Sequence, residues 1–211
     1  MNLSVEVISD VICPWCFIGK RRLEKAIAAI QGEHEVEVNW LPYQLNPTMP
    51  PEGISRREYR IKKFGSWERS QELDANVAEN GKTEGIDFAL NRIERTPNTV
   101  DAHRLIWLAG QQGCQNSVVE ALFLGYFTLG KDLSNRLILI DVATEAGLSR
   151  QLAEELLDGD GGISEMAESK ILATELGVDG VPFFIINRKV ALAGAQPPEI
   201  FLEAFRQAES S

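Results

Sequence analysis

Cysteine is scarce in this 211-residue chain: there are three. Three cysteines make no disulfide scaffold, and an odd count leaves at least one thiol free or paired between chains. A chain of this length buries enough apolar surface to fold without such staples, as one domain or one domain with a large insertion. Positive charge is also short. Lys and Arg number 21 against 31 Asp and Glu, for a formal net charge of -10. That balance argues against nucleic acid or an anionic membrane surface as the partner, because phosphates are bound by clustered positive charge. No run is apolar for the roughly 20 residues that a membrane-spanning helix needs. The first residues lack the basic start, apolar run and small-residue cleavage site of a signal peptide. A cytoplasmic location with no membrane partner is the expectation.

What is present is ordinary globular material, 44% hydrophobic and 25% charged, arranged with clear periodicity. Residues 3–8 alternate and then run apolar, as a strand does. Pro14 to Ile30 places Ile18, Leu23, Ala26, Ile27 and Ile30 at helical spacing, with Gly32 just past the end as a cap. Residues 36–41 alternate as a second strand, and such a crossover favours a parallel pair. A Pro-rich irregular stretch, 42–53, follows. From about Ser55 to Gly177 the patterns are helical. Ser66 and Ser134 are expected N-caps, and Thr96-Pro97-Asn98 is expected to start a helix. Then Phe183-Phe184-Ile185-Ile186 reads as a buried strand, Asn187-Arg188 as a tight turn, and residues 189–193 as its hairpin partner. Pro197 and Pro198 open a last helix. The whole reads as an α/β sheet carrying an all-helical insertion.

Cys13-Pro14-Trp15-Cys16 lies at the junction of the first strand and first helix. Residues three apart on a helix have Cβ atoms roughly 5–6 Å apart, close to what a disulfide needs. Cys13 falls at the N-cap and Pro14 at the first helical position, where the missing N–H costs nothing. A sulfur there faces unpaired N–H groups and the positive end of the helix dipole, which favour thiolate, the attacking species in disulfide exchange. Cys16, one turn deeper, is expected to be the resolving thiol. Half of a zinc site and two inert buried thiols are the competing readings. No second CxxC exists, and Cys114, His34 and His103 are not at ligand spacing, so no metal is expected. A CxxC in this position favours a redox pair. Val181-Pro182 stands just before the buried strand. With a cis bond there, the Val181 backbone is left free to pair with an extended peptide or a γ-glutamyl chain laid beside the disulfide.

Four stretches together resemble the DsbA family of thioredoxin-fold proteins, and within it the FrnE-like branch. They are Ser9 to Lys20 with its Cys-Pro-Trp-Cys, Leu45-Asn46-Pro47, Asn98-Thr99 with His103-Arg104, and Gly194-Ala195-Gln196-Pro197-Pro198, joined by Gly180-Val181-Pro182-Phe183-Phe184. The resemblance implies a thioredoxin fold built from residues 1–52 and 178–211, with a helical insertion, residues 53–177, that caps the dithiol after the second strand. It implies a cis Pro182 and disulfide oxidoreductase chemistry at Cys13 and Cys16, with Pro14, Trp15, Val181, Pro182, Asn98 and His103 contacting substrate. It requires no bound cofactor. Its partners are a protein or small-molecule disulfide or thiol, glutathione being a candidate co-substrate, and the chain is expected as a monomer or homodimer.

The chain also departs from relatives. Where periplasmic members carry a buried Glu six residues before the nucleophile, this chain has Val7, and Asp10 is the nearest acid. Kappa-class glutathione transferases and 2-hydroxychromene-2-carboxylate isomerases, similar in topology, typically place Ser where Cys13 stands. A glutathione-dependent isomerase or transferase is therefore the alternative function. For His103 two readings stay open, one facing the dithiol and one fixing helix packing. Arg56, Arg57, Arg60, Lys62 and Lys63 read as the solvated face of a helix, and Cys114 reads as structural.

Overall fold

The computed structural model describes residues 2–210. Strand β1 (Asn2–Ser9) turns into helix α1 (Pro14–Ala29), and β2 (Glu35–Pro42) follows, parallel to β1 with Val5 opposite Val38 and Ser9 opposite Pro42. The span after β2 is a series of helices: β3 (Ile54–Ser55), α2 (Arg56–Phe64), α3 (Trp67–Thr83), β4 (Arg95–Thr96), α4 (Val100–Gln111), α5 (Gln115–Phe123), α6 (Arg136–Glu145), α7 (Arg150–Asp158) and α8 (Ile163–Glu175). The chain then returns to the sheet as β5 (Phe183–Ile186) and β6 (Val190–Ala193) and ends in α9 (Pro198–Ser210). The sheet order is β2-β1-β5-β6, with β5 antiparallel to β1 and β6 antiparallel to β5. This is the thioredoxin arrangement with a helical insertion.

Strand alternation distributes the core. Leu3, Val5, Val7, Phe184 and Ile186 join the large cluster that includes α1 and α9, where the Phe184 and Phe201 rings meet edge to face at 4.8 Å. Ile8 and Ile185 point the other way, onto Ala173 of α8 and Val178. The hairpin between β5 and β6 turns at Asn187 and Arg188, with φ of 50° and 57°. Asn187 fits that left-handed backbone well, and its side chain accepts the Ser4 N–H at 2.8 Å.

Two expected helix starts shift, each for a local reason. Ser134 does not cap α6: its N–H and hydroxyl are taken by Asp132 Oδ1, and Asn135 caps instead, accepting from the N–H groups of Leu137 and Ile138. Thr96-Pro97-Asn98 does not open α4, because Arg95 and Thr96 pair with Ser55 and Ile54 in a two-residue ladder. The helix begins at Val100, whose N–H is accepted by Asn98 Oδ1. Ser66 caps α3 as expected, through the Arg69 N–H.

Helix α1 is shared between the sheet and the insertion. On its insertion side Phe17 stacks on Phe123 at 5.1 Å and meets Phe88 edge to face at 6.0 Å. The last turn of α5 runs into a π-helical turn, Leu124–Thr128, which brings Phe127 to the same cluster. Beside it, buried Lys20 pairs with Glu24 and, at 2.8 Å, with Glu120, which also pairs with Arg21. Arg22 and Lys25 bind Glu84 at 2.7 and 2.6 Å. The basic cluster on α2 is partly neutralised, as Arg56 and Arg60 share Asp74 at 2.8 and 2.5 Å.

Phe17→Ala is expected to cost about 3–5 kcal/mol, since it empties a fully buried aromatic site; the shift of the urea midpoint measures it. Glu120 supplies a pH dependence. Burial raises its carboxyl, but hydrogen bonds from Arg21 and Lys20 outweigh that and hold it below its ordinary value. The pairing therefore stabilises the fold above the ordinary carboxyl range and is lost as the pH falls through the lowered value. Glu120→Gln is expected to lower Tm at neutral pH, with the gap to wild type closing below about pH 4.

Candidate active site

The segment between β1 and α1 is a tight turn. The Cys13 N–H donates to Asp10 O at 3.0 Å, and Cys13 takes the N-cap position with φ −93° and ψ 110° ahead of Pro14. Its side chain makes no cap hydrogen bond. The thiol instead lies 3.4 Å from the carbonyl oxygen of Val181. Both cysteines are free, with Cys13 5% and Cys16 1% exposed. Cys16 is pushed well above its ordinary pKa, first by burial and then by the hydrogen bond and charge of the neighbouring Cys13 sulfur, while a backbone hydrogen bond from Asp10 acts in the opposite sense. Pro14 and Trp15 are half-buried at the start of the helix.

Close approach of α1 to the returning chain makes this contact possible. A Cβ on Gly19 would lie 3.0 Å from both Pro182 Cγ and the Phe184 ring, so any larger residue would push one of them or the helix aside. A glycine inside a helical pattern is a signal for such an approach, but not for its target. The Val181–Pro182 peptide bond is cis. The Pro182 carbonyl accepts the Gly194 N–H at 2.8 Å, and the Ala195 carbonyl accepts from Arg22 at 2.6 Å. The 194–198 stretch thus braces Pro182 and α1 from behind.

In the sequence Asp10 stands out only as the acid nearest the dithiol. The structure puts it at the centre of a buried network. Asp10 and His103 are 0% and 2% exposed, with His103 Nε2 3.3 Å from Asp10 Oδ1 and 3.1 Å from the Tyr43 carbonyl. Both neighbours are acceptors, which assigns the proton to Nε2. Asp10 Oδ2 accepts the Leu45 N–H at 2.8 Å. Asn46 beside it accepts from the Tyr59 hydroxyl. His103 is therefore joined to the turn that bears Cys13. Asn98 is not: its amide is engaged by the Met49 carbonyl and the Val100 N–H. Arg104 clamps the end of α7 through the carbonyls of Leu156, Gly159 and Gly161.

Cys114 is half-buried at the start of α5, apart from the pair. Among the described residues, no three His, Cys, Asp or Glu side chains are grouped to hold a metal ion, and no helix is long and apolar enough to cross a membrane. A cavity of about 470 Å³ opens between the 42–47 loop, the start of α4 and α8.

Residues 4–206 match the model of the DSBA-like thioredoxin domain family. A solved structure, the probable DsbA oxidoreductase SCO1869 from Streptomyces coelicolor, is 31% identical, with a TM-score of 0.90 over 99% of this chain and 91% of that one. The uncharacterized protein YwbO of Bacillus subtilis is 25% identical over 205 residues, 97% of this chain and 96% of its own. A 2-hydroxychromene-2-carboxylate isomerase shares the fold, with a TM-score of 0.72 and 17% identity over 99% of both chains. With its dithiol at the mouth of α1 and Val181–Pro182 against it, the chain belongs to the family of DSBA-like thioredoxin domains.

Proposed function

We propose that this chain is a thiol–disulfide oxidoreductase that works through Cys13 and Cys16. The observation that carries the reading is the placement of the two sulfurs: Cys13 at the helix mouth against the Val181 carbonyl, and Cys16 behind it, more deeply buried and raised. Cys13 attacks a substrate disulfide, one sulfur of which leaves as a thiolate and takes a proton from solvent. The substrate is then held as a mixed disulfide on Cys13. Cys16 gives up its proton and attacks the Cys13 sulfur, the mixed disulfide breaks, and the second substrate thiol departs while the pair becomes a disulfide. Every step reverses with the flow of electrons. The dithiol carries the electrons, so no bound cofactor or metal is required. The Val181 backbone, the face of Pro182 and the half-buried Pro14 and Trp15 receive the substrate chain.

The resolving step needs a base, because a buried thiol above its ordinary pKa ionises poorly. Asp10 fills that place. Its charge acts on Cys16, and Leu45 and His103 hold its carboxylate in position. A reducing, cytoplasmic setting suits free thiols poised in this way, and glutathione is a fitting co-substrate.

A second reading has one observation in its favour, the likeness of fold to 2-hydroxychromene-2-carboxylate isomerase across both chains. A glutathione-dependent isomerase or transferase binds glutathione without a covalent bond and does not need Cys16. Glutathione titration of Cys16→Ala separates the two readings.

Cys13→Ser is expected to bring reduction of a model disulfide down to the uncatalysed rate, and Cys16→Ala to accumulate a mixed disulfide on Cys13 visible by intact mass. Full turnover in Cys13→Ser overturns the assignment. Asp10→Asn decides between two roles. As a charge alone, Asp10 raises Cys16, so its removal speeds release of a thiol from a preformed Cys13 mixed disulfide. As the proton acceptor, its removal slows release at neutral pH, with the deficit closing in alkali as hydroxide takes over. The slower rate is expected; a faster one, or a deficit equal at every pH, refutes the proton role.

A further inference from the structure

Helix α8 is the helix least sunk into the protein. Of its thirteen residues only Ala173 is buried. Ile163, Met166, Ala167, Lys170, Ala173 and Thr174 recur at helical spacing and form one face, of which Met166 and Ala173 are the more buried members. That face does not meet packed side chains along its length. It lines the cavity of about 470 Å³, whose opposite wall is the loop after β2. A groove of this size falls in the range of small-molecule sites, roughly 300–1,000 Å³.

The lining is mostly apolar, with two polar features. The Gln44 amide nitrogen is buried without a hydrogen-bond partner. Lys170 is the one charged side chain of the lining and is itself exposed, which puts it at the mouth. Its ammonium supplies a local positive charge that a carboxylate at that edge can pair with, against the net charge of -10 on the chain as a whole. The opposite wall also matters for position. Tyr43 and Leu45 line the cavity, while the Tyr43 carbonyl and the Leu45 N–H hold His103 and Asp10.

We propose that this cavity binds a small amphipathic anion, an acyl or aryl carboxylate. Its apolar body lies against Leu45, Val100 and Met166, and its carboxylate meets Lys170. Binding is non-covalent and independent of the thiol chemistry. The site goes beyond the disulfide reading and stands or falls separately from it.

Decanoate and 2-naphthoate, as acyl and aryl probes, test it by calorimetric titration of the reduced full-length protein. At least one is expected to bind saturably at one site, unchanged in Cys13→Ser. Lys170→Glu reverses the charge at an exposed position and is expected to weaken binding about tenfold or more. Ala167→Trp fills the cavity from the helix face and is expected to abolish binding. If that variant does not fold, Lys170→Glu together with the uncharged probe decanol decides the matter, since decanol is expected to bind more weakly than decanoate and to be indifferent to the charge reversal. Absence of saturable binding by both anions overturns the site. So does binding that survives Lys170→Glu unchanged.

Discussion

Two segments 168 residues apart meet where the Cys13 sulfur lies 3.4 Å from the Val181 carbonyl, and the distance between α1 and the returning chain governs that meeting. Gly19 sets the distance. With hydrogen in place of a Cβ, the helix lies against Pro182 and the Phe184 ring; any larger side chain there begins in contact at 3.0 Å with both. Displacing the helix outward would draw the N-cap sulfur away from Val181, because a rigid helix moves as a unit. The bracing of Pro182 by the Gly194 N–H and of Ala195 by Arg22 works from the other side to the same end. The dithiol is thus positioned by packing one turn below it as much as by the turn that contains it.

The insertion is fastened both to α1 and to the edge strand β2, where the Gln115 amide pairs with the Trp40 N–H and carbonyl at 2.9 and 3.2 Å and Asn116 accepts from the Trp40 indole. Aromatic stacking of Phe17 on Phe123 and the pairing of Lys20 and Arg21 with Glu120 fix α5 along one side of the helix, and Glu84 binds Arg22 and Lys25 along another. A buried lysine is costly unless paired, so the two carboxylates near Lys20 act chiefly to cancel that cost and to set register. Helix α8 differs. It covers the opposite sheet face through Ala173 near its C-terminal end and leaves the rest of its inner face to line a cavity.

The elements that position the cysteines were legible because their signals are local. Alternation in β1, the short apolar run of β5, proline at the first turn of α1 and Asn-Arg at the hairpin each act within a few residues, and the observed bounds of β5, Phe183–Ile186, follow from them. The misplaced starts of α4 and α6 arise where a second local partner competes: Asp132 for Ser134, and the β3–β4 ladder for Thr96. The π-helical turn at Leu124–Thr128 leaves no periodic trace, since it lies inside a continuous apolar face. His103 shows the limit most plainly. Its helical spacing allowed either a packing role or a place near the dithiol, and its partner, Asp10, is 93 residues away. Asn98, grouped with it by resemblance, is committed to the backbone of Met49 and Val100 instead.

Under the proposed chemistry, the depth of Cys16 imposes one demand on both directions of exchange. A thiol of high pKa is a strong nucleophile once ionised and a poor leaving group when expelled. In the mixed disulfide, Cys16 must lose a proton before it attacks Cys13; in the Cys13–Cys16 disulfide, it must gain one as it is displaced from Cys13. Both directions therefore move a proton at the same buried sulfur. Position 7 cannot serve, because Val7 packs in the large apolar cluster that contains α1 and α9. Asp10 lies beyond the end of β1, where its carbonyl accepts the Cys13 N–H and its carboxylate is held by Leu45 from the loop and His103 from α4. An acid carried on the strand itself would need nothing from the insertion. An acid carried on the turn is oriented by it, so α4 contributes to the proton's path as well as to the cover over the sheet.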